Sequence, residues 1–332
     1  IKFLFITGIS KFSQMSLFSA LNNLVDISLY SEYEGVCGFT KEEMRRDFPE
    51  YVQIIADKYN CDLESAYEEL RKNYDGYHFS EEMTCDVFNP FSILNTLASL
   101  QFRSYWFETG TPTYLITLLQ LHDYNLEEMS EIETDADVLN SIDDGSTDPI
   151  PVIYQSGYLT IKDYDREFGL YKLGFPNKEV EEGFMKFLIP YYTNIPKSGS
   201  AFEITQFVKD VRAGRTEQFI KRLKSFFADT PYELVKDLEN HYQNVLFIIS
   251  RLMGFYTKTE YHTSEGRIDM VIQTKDYCYV LEFKLDGTAQ EALEQILDKN
   301  YTLPFEMNGQ HIIRIGMNFS KETRNIDGVV IV

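Results

Sequence analysis

The stretch "GRIDMVIQTKDYCYVLEFKLDG", residues 266–287, decides the fold of the C-terminal part of the chain. It contains two apolar runs, residues 268–273 and 277–285, and the polar pair Lys275-Asp276 separates them. Apolar runs of this length joined by a short polar turn are typical of a β-hairpin. We therefore predict two adjacent antiparallel strands at this point.

The predicted hairpin carries charge where a core strand is normally apolar. Asp269 opens the first strand, and Glu282 and Lys284 lie near the end of the second, in the only Asp/Glu-x-Lys triplet of the chain. Side chains alternate between the two faces of a strand, so Glu282 and Lys284 share one face. Pairing through the turn brings Asp269 close to both.

Two carboxylates a few ångströms apart repel each other unless a cation lies between them, and paired oxygen ligands select Mg²⁺ or Mn²⁺. Such a metal activates a water for attack on a phosphodiester, and Lys284 would add positive charge beside that water or the phosphate. The pattern predicts a phosphodiesterase site. The alternative is a structural, salt-bridged hairpin end, because ion-pair networks occupy similar places.

Two helical residues are candidates to complete this site. Glu239 lies beside the apolar stripe of a helix predicted from residue 230 to Gly254, where it would reach over the sheet as a third metal ligand. Gln295 lies on a helix that Thr288 and Glu291 cap. Taken alone, each residue is more typical of a solvated helix surface.

The order of predicted elements gives the fold class. Residues 230–332 show a helix, three strands, a helix and a further strand, which predicts a small α/β domain with a mixed sheet flanked by helices. Residues 1–150 begin with the strand-like run "IKFLFIT" and are otherwise largely helical, and residues 151–229 predict a hairpin with a helix, as in a lid or winged subdomain. The whole chain is thus an α/β, or broadly α+β, protein of three parts.

Composition limits the classes of protein. No apolar run approaches the roughly 20 residues of a membrane span and no signal peptide is recognisable, so we expect a soluble, cytoplasmic protein. Four scattered cysteines and five histidines lack zinc-ligand or disulfide spacing. A formal charge of −21 argues against a general polyanion binder. Because the chain begins with Ile inside a strand-like run, we expect an upstream part to be missing.

The ordered motifs "GRIDMVI", "YVLEFKL", "ALEQILDKNY" and "IGMNFS" closely resemble the PD-(D/E)xK nuclease superfamily. Earlier stretches, among them "TGISKFS", "YDGYHF", "NPFSIL" and "LGFPNKEV", resemble the ATPase-like part of bacterial AAA-ATPase-like proteins that end in such a domain. The resemblance covers nearly the whole chain.

The resemblance implies a restriction-endonuclease-like fold for residues 230–332 and a Mg²⁺-dependent or Mn²⁺-dependent nuclease acting on nucleic acid, DNA rather than RNA. It implies that Asp269 and Glu282 hold the metal with Glu239, and that Lys284 and Gln295 complete the catalytic set. Glu260 and Arg267 would flank the site. It also implies a homo-oligomer formed through the ATPase-like region, residues 1–150.

The front of the chain departs from the family pattern. A phosphate-binding loop of the form G-x-x-x-x-G-K-[ST] is absent, and "TGISKFS" supplies only Thr7 as a candidate nucleotide sensor. We therefore expect ATP binding only where the missing N-terminal part is present. Two alternative functions are also consistent with the sequence. One is an inactive nuclease fold that binds nucleic acid or protein, and the other is an ATP-driven remodelling protein.

Overall fold

The computed structural model describes residues 5, 25–108, 113–130, 132–140, 148–193, 195–228, 238–254, 256–262 and 268–332. The chain forms two compact units, one of residues 1–122 and 128–184 and the other of residues 123–127 and 185–332. The three-part division at residues 150 and 229 stays a prediction. None of the helices in the described ranges has the length and apolar character needed to cross a membrane.

The first unit is mainly helical. Its helices are α1 (Lys41–Asp47), α2 (Pro49–Tyr59), α3 (Leu63–Tyr74), α4 (Pro90–Ser99), α5 (Thr113–Leu121), α6 (Ala136–Asn140), α7 (Ile150–Gln155) and the first turns of α8 (Lys178–Tyr192). Short 3₁₀ helices span Ser31–Cys37 and Trp106–Glu108, and a third, Leu126–Ser130, begins in residues that belong to the second unit. Helices α1 to α4 enclose an apolar core that includes Met44, Ile55, Leu70 and Ile93.

Local sequence signals set the helix boundaries in this unit. Helix α1 begins with a capping box, in which the Thr40 hydroxyl accepts a hydrogen bond from the Glu43 amide at 3.2 Å and the Glu43 carboxylate accepts one from the Thr40 amide at 3.0 Å. Helix α3 ends before Gly76, whose φ is +96° and where a Cβ would lie 2.4 Å from a backbone oxygen. Only glycine fits that turn.

The hairpin predicted for residues 151–177 is present over Thr160–Gly174 in a small antiparallel sheet, whereas the first residues of the predicted stretch, up to Gln155, belong to helix α7. The sheet contains β1 (Ile132–Thr134), β2 (Thr160–Asp165) and β3 (Leu170–Gly174) in the order β1-β3-β2. The predicted helix that follows is α8, and its range agrees with the sequence pattern.

The second unit contains the mixed sheet predicted for the C-terminal part. Its helices are α9 (Lys197–Arg212), α10 (Thr216–Phe227), α11 (Leu238–Gly254) and α12 (Ala289–Asp298), and a 3₁₀ helix spans Leu303–Asn308. Its strands are β4 (Lys258–Tyr261), β5 (Met270–Gln273), β6 (Tyr277–Leu285), β7 (His311–Ser320) and β8 (Asn325–Ile331), in sequential order. Among the strand pairs of the described residues in this sheet, β6 and β7 are parallel and the others are antiparallel, which confirms the mixed α/β class.

Helix α12 crosses from β6 to β7 and packs directly on the sheet. At Gly316 of β7, a Cβ would lie 2.2 Å from the Ala289 carbonyl oxygen and 2.6 Å from the Leu293 amide. The absence of a side chain at this position is what allows helix and strand to approach so closely. The apolar residues between α12 and the sheet include Val280 and Ile296.

The C-terminal strands differ from the sequence prediction in two ways. Strand β7 extends to Ser320 rather than ending near Met317, and it pairs with β8, an edge strand that the sequence reading missed. The four cysteines have free thiols in the structure.

Candidate active site

Asp269 lies immediately before β5, where the chain enters the sheet next to Glu282. The register pairs Met270 with Leu281, so one step further along the ladder the chain reaches Asp269 and Glu282. Asp269 Oδ2 accepts a hydrogen bond of 2.8 Å from the Phe283 amide on β6. This bond holds the carboxylate of one strand against the backbone of the next.

Glu282 is a buried carboxylate with incomplete hydrogen bonding. The residue is only 2% exposed. Its Oε1 accepts a hydrogen bond from Gln295 Nε2, whereas Oε2 is fully buried and has no hydrogen-bond partner among the described residues. A buried carboxylate oxygen without a partner is costly, because burial removes its water and nothing replaces it.

Gln295 connects Glu282 to Lys284. Its amide nitrogen donates to Glu282, and its amide oxygen accepts a hydrogen bond from Lys284 Nζ. Lys284 Nζ also lies 4.0 Å from Glu282 Oε1. Gln295 therefore fixes the carboxylate and the ammonium at the same time, from the helix that crosses over the sheet.

Both carboxyl groups hold protons more tightly than usual. Burial raises the pKa of Glu282 to about 7, and the Asp269 carboxylate adds to this rise, while Lys284, the backbone amide of Asp269 and Gln295 oppose it. Burial likewise raises the pKa of Asp269 to about 6, against the opposing hydrogen bond from Phe283 and the charge of Lys284. The structure thus brings together four of the predicted residues, two acids, a lysine and a glutamine.

The other predicted residues are placed differently. Glu239 lies exposed in the first turn of α11. Among the described residues, no three His, Cys, Asp or Glu side chains are grouped as direct ligands for a metal, so its role as third ligand stays a prediction. Glu260 belongs to β4, and Arg267 and Thr7 lie outside the described residues.

Comparison with known proteins gives the family of this domain. Residues 237–328 match the family model described as PD-(D/E)XK nuclease superfamily. Residues 237–328 form a PD-(D/E)XK nuclease superfamily domain. Membership of this superfamily indicates a nuclease-type function, and it agrees with the mixed five-stranded sheet and with the charged hairpin of residues 266–287.

The full chain resembles a longer protein. It is 32% identical over 342 aligned residues to an "Uncharacterized protein in vnfD 5'region" of Azotobacter chroococcum mcd 1. The alignment covers 100% of this chain and 63% of that relative, so the chain spans less than two thirds of the relative's length. No solved structure matches the chain. The comparisons give no support for the ATPase-like module that the resemblance implied.

The donor set of the nuclease domain fits a divalent metal. Two acidic side chains adjoin at the end of β6, and one of their oxygens is buried without a partner among the described residues. Superfamily members typically use divalent metals, and carboxylate oxygens are the ligands that Mg²⁺ and Mn²⁺ accept. A cation at this position would compensate for the burial of Glu282.

Sequence reasoning missed one contact and one weaker effect of charge at this site. The Tyr301 hydroxyl lies 3.5 Å from Gln295 Nε2, just past the end of α12. The charge of Glu127 is the smallest of the contributions to the raised pKa of Asp269. Nothing local to Glu127 in the sequence connects it with a hairpin so far along the chain, and only the folded structure reveals this effect.

Proposed function

We propose that the PD-(D/E)XK domain is a divalent-metal-dependent nuclease that hydrolyses phosphodiester bonds at Asp269, Glu282 and Lys284. The main support for the proposal is Glu282 Oε2. This oxygen is buried, has no hydrogen-bond partner among the described residues, and belongs to a carboxylate that lies near the Asp269 carboxylate. A salt-bridged hairpin end would use its charges to satisfy one another. Here Lys284 Nζ donates its hydrogen bond to Gln295 and lies 4.0 Å from Glu282 Oε1. The lysine therefore does not neutralise both carboxylates, and Asp269 and Glu282 can still bind a cation.

Asp269 and Glu282 would hold Mg²⁺ or Mn²⁺, with Glu239 proposed as a further ligand. When bound, the metal supplies a polarised water and stabilises negative charge on the phosphate. The hydrogen bond from the Phe283 amide keeps Asp269 in place for this role, and Gln295 does the same for Glu282. The protein therefore contributes a preorganised pair of carboxylates.

Lys284 would act on the substrate side of the site. Its ammonium group is held by Gln295 rather than by a close ion pair with Glu282. In this position it would orient the attacking water or neutralise a phosphate oxygen as charge develops there. Gln295 serves as a positioning residue, because it determines where both Glu282 and Lys284 point.

Nucleic acid is the substrate class that this chemistry implies, and we propose DNA in preference to RNA. The chain carries a formal charge of −21, so recognition would depend on local contacts rather than on a general attraction to phosphate. The test is cleavage of end-labelled single-stranded and double-stranded DNA and RNA with Mg²⁺, Mn²⁺ or EDTA. Cleavage that needs metal and that Glu282→Gln abolishes would support the proposal, with Glu294→Gln on the exposed face of α12 as the control.

The acidic charge of the chain also favours a second candidate, an inactive nuclease fold that binds a protein or nucleic acid. A cleavage assay distinguishes the active nuclease from the inactive module. A chain that binds metal or nucleic acid but cleaves none of the four substrates would favour the inactive module. Coupling to ATP hydrolysis and assembly through residues 1–150 rest on the resemblance alone, and nucleotide affinity together with sedimentation would test them.

A further inference from the structure

A cavity of about 650 Å³ lies at one end of the mixed sheet. It is lined by the end of α11 and the start of β4, by the end of β5 and the turn that follows it, and by Arg212, the last residue of α9. These lining residues all belong to the second unit. The volume falls within the range of about 300 to 1,000 Å³ that is usual for ligand sites.

The cavity and the acidic site lie at opposite ends of the sheet. Strand β5 begins just after Asp269 and ends at Gln273, which lines the cavity, and β6 runs back from there to Glu282 and Lys284. The part of β6 from Tyr277 to Glu282 spans about 17 Å, at roughly 3.3 Å per residue. A ligand that bridges the two places must therefore be an extended molecule.

One cation of the cavity lies on the face of the sheet that carries the acids. Lys258 of β4 lies opposite Gln273 of β5, and Gln273 lies opposite Cys278 of β6, so these three side chains share a face. Because side chains alternate along a strand, Cys278 and Glu282 also share a face. Strand β4 is at the edge of the sheet, whereas α12 packs on β6, β7 and β8. Helix α12 therefore leaves the edge with Lys258 open.

Positive charge without an ionic partner is concentrated in this cavity. Arg212, Lys258 and Lys275 line it, and in the part of the chain that the structure describes none of the three forms an ion pair. Asp276 is the acidic residue among the described lining residues. By contrast, Arg215 lies 2.8 Å from a buried carboxylate. In a chain of net charge −21, three unpaired cations in one cavity create a local site for an anion.

The turn that carries Lys275 is fixed by hydrogen bonds. The Thr274 amide donates to the Tyr277 carbonyl at 2.8 Å, and the Tyr277 amide donates to Thr274 Oγ1 at 3.0 Å. The His311 amide at the start of β7 donates to the Asp276 carbonyl at 2.8 Å. The backbone on both sides of Lys275 is thus held in place before any ligand binds, which lowers the entropic cost of binding.

Arg212 is held beside the same turn. Gly214, just after α9, has a φ of +69°, and a Cβ there would lie 2.5 Å from Cζ of the Tyr277 ring. The connection between α9 and α10 therefore packs directly on the residue that closes the turn. Arg212 Nη2 donates a hydrogen bond to the Tyr256 carbonyl, and the other N–H groups of the guanidinium stay available for a phosphate.

We propose that this cavity binds phosphate groups of the nucleic-acid substrate, away from the position of cleavage. The inference rests on the proposed function and names a contact that would hold the substrate. Lys and Arg bind phosphate oxygens without reading sequence, so the contact positions the strand rather than selecting bases. The exposed ring of Tyr256, which also lines the cavity, offers a surface on which a base can stack. At about 3.4 Å of rise per nucleotide, 17 Å corresponds to about five nucleotides between the cavity and the cleaved bond.

The test is fluorescence anisotropy of labelled single-stranded and double-stranded DNA and RNA of about 16 nucleotides, long enough to reach both places. The full 332-residue chain is used in EDTA, so that binding is measured without metal or cleavage. The variant Lys258→Gln/Lys275→Gln removes two cations, and Lys258→Arg/Lys275→Arg keeps them. The matched control is Lys72→Gln/Lys221→Gln, two exposed lysines that do not line the cavity. Arg212 is left intact because it also holds the backbone.

We expect the glutamine pair to weaken binding at least about tenfold at low salt, and to reduce the slope of log K against log salt by about 1.4 to 1.8, as for two lost phosphate contacts. The arginine pair should bind as the parent does, and the control should keep the slope of the parent. Asp276→Asn should tighten binding, because it removes a charge that repels phosphate. The unfolding midpoint of the glutamine pair should equal that of the parent, since neither lysine forms an ion pair with a described residue.

Several outcomes would overturn the inference. One is a glutamine pair that binds nucleic acid as the control does, and another is a parent that binds none of the four nucleic acids. A third is a lower unfolding midpoint of the glutamine pair together with lost affinity in the arginine pair, which would show a structural role. Calorimetric titration of inorganic phosphate covers the remaining source of this chemistry. Phosphate binding that the glutamine pair loses, with nucleic-acid binding intact, would show a site for a small phosphate ligand and would also overturn the inference.

Failure of the proposed function is recognised separately, in the cleavage assay with Mg²⁺ or Mn²⁺. If the parent cleaves and the glutamine pair binds nucleic acid as the control does, the nuclease stands and the cavity has no part in substrate binding. If the glutamine pair loses binding while the parent cleaves nothing, the phosphate site stands and the nuclease proposal is overturned.

Discussion

The Asp269 carboxylate accepts a hydrogen bond of 2.8 Å from the backbone amide of Phe283, across the gap between β5 and β6. An acid proposed to hold a metal is thus also part of the contact between two strands. Substitutions at this position must therefore be chosen to separate chemistry from structure.

The Asp269→Asn variant is expected to fold as the parent does but to lose metal binding and cleavage. The asparagine oxygen still accepts the hydrogen bond from Phe283, but the side chain no longer carries the negative charge that a divalent cation needs. Cleavage should fall by about 100-fold or more, the size of effect seen when one electrostatic group is removed from an active site. Metal titration should show weak or absent binding, with an unfolding midpoint close to that of the parent.

Asp269→Ala provides the comparison, since it removes both the charge and the hydrogen bond. We expect it to lower stability by about 1 to 3 kcal/mol relative to Asp269→Asn, because the Phe283 amide loses its partner. Urea unfolding of the two variants in EDTA measures this difference. Equal stability would show that water replaces the lost acceptor.

Stability without metal is expected to fall as the pH rises. Burial raises the pKa of Glu282 to about 7, from an ordinary value of 4.5, so the folded state holds its proton more tightly than the unfolded state. This contribution is fully present below the unfolded pKa and is lost as the pH rises through the folded pKa, toward about pH 7. At about 1.4 kcal/mol for each pKa unit, its size is of the order of 3 kcal/mol.

Glu282→Gln should remove this pH dependence, because the amide does not titrate. Urea unfolding in EDTA from pH 4.5 to 8 should therefore show a smaller decline for the variant than for the parent. Metal binding has the opposite pH dependence, since the cation needs ionised carboxylates and competes with protons. Affinity for Mn²⁺ should rise between pH 5.5 and 7.5, and a constant affinity over this range would contradict the assignment of the ligands.

Gln295→Ala is expected to reduce the rate of cleavage more than it reduces metal affinity. The substitution removes the link between Glu282 and Lys284, but leaves both carboxylates of the pair. We expect a loss of about tenfold or more in rate, from the poorer orientation of Lys284. Gln290→Ala, on the exposed side of the same helix, is the control, and equal effects of the two variants would show a general perturbation of α12.

Gly316→Ala is expected to destabilise the domain. The added methyl group would lie 2.2 Å from the Ala289 carbonyl oxygen, so helix and strand must separate. Overpacking of this kind costs about 1 to 3 kcal/mol or more, measured by chemical denaturation. Gly254→Ala is the matched control, because a Cβ there meets no atom within 4 Å, and it should be neutral or slightly stabilising.

The elements that were predicted correctly depend on residues that are close together in the sequence. The turn at Lys275-Asp276, the alternation along β6 and the capping box at Thr288 each depend on neighbouring residues, and together they lead to the hairpin, α12 and the mixed sheet. The site follows from the same elements. Asp269, Glu282 and Lys284 come from one hairpin, and Gln295 from the next helix.

The parts that the sequence did not predict depend on contacts between distant residues. Strand β8 is an edge strand interrupted by Gly328, although the run "VVI" that follows is typical of a strand and would have indicated it. Glu127 joins the nuclease unit through the side chains of Asn240 and Asn244, and no periodicity or spacing encodes such an attachment. Tertiary contacts alone determine its position.

The parallel pairing of β6 with β7 also has a consequence for the order of folding. The hairpin of β5 and β6 forms from close neighbours, so Asp269, Glu282 and Lys284 meet early. Gln295 is held in place only after α12 has crossed the sheet and β7 has paired along β6 up to Phe319. A nascent chain still emerging from the ribosome would therefore carry the acids and the lysine in a loose arrangement until residues up to Phe319 had been made and had paired.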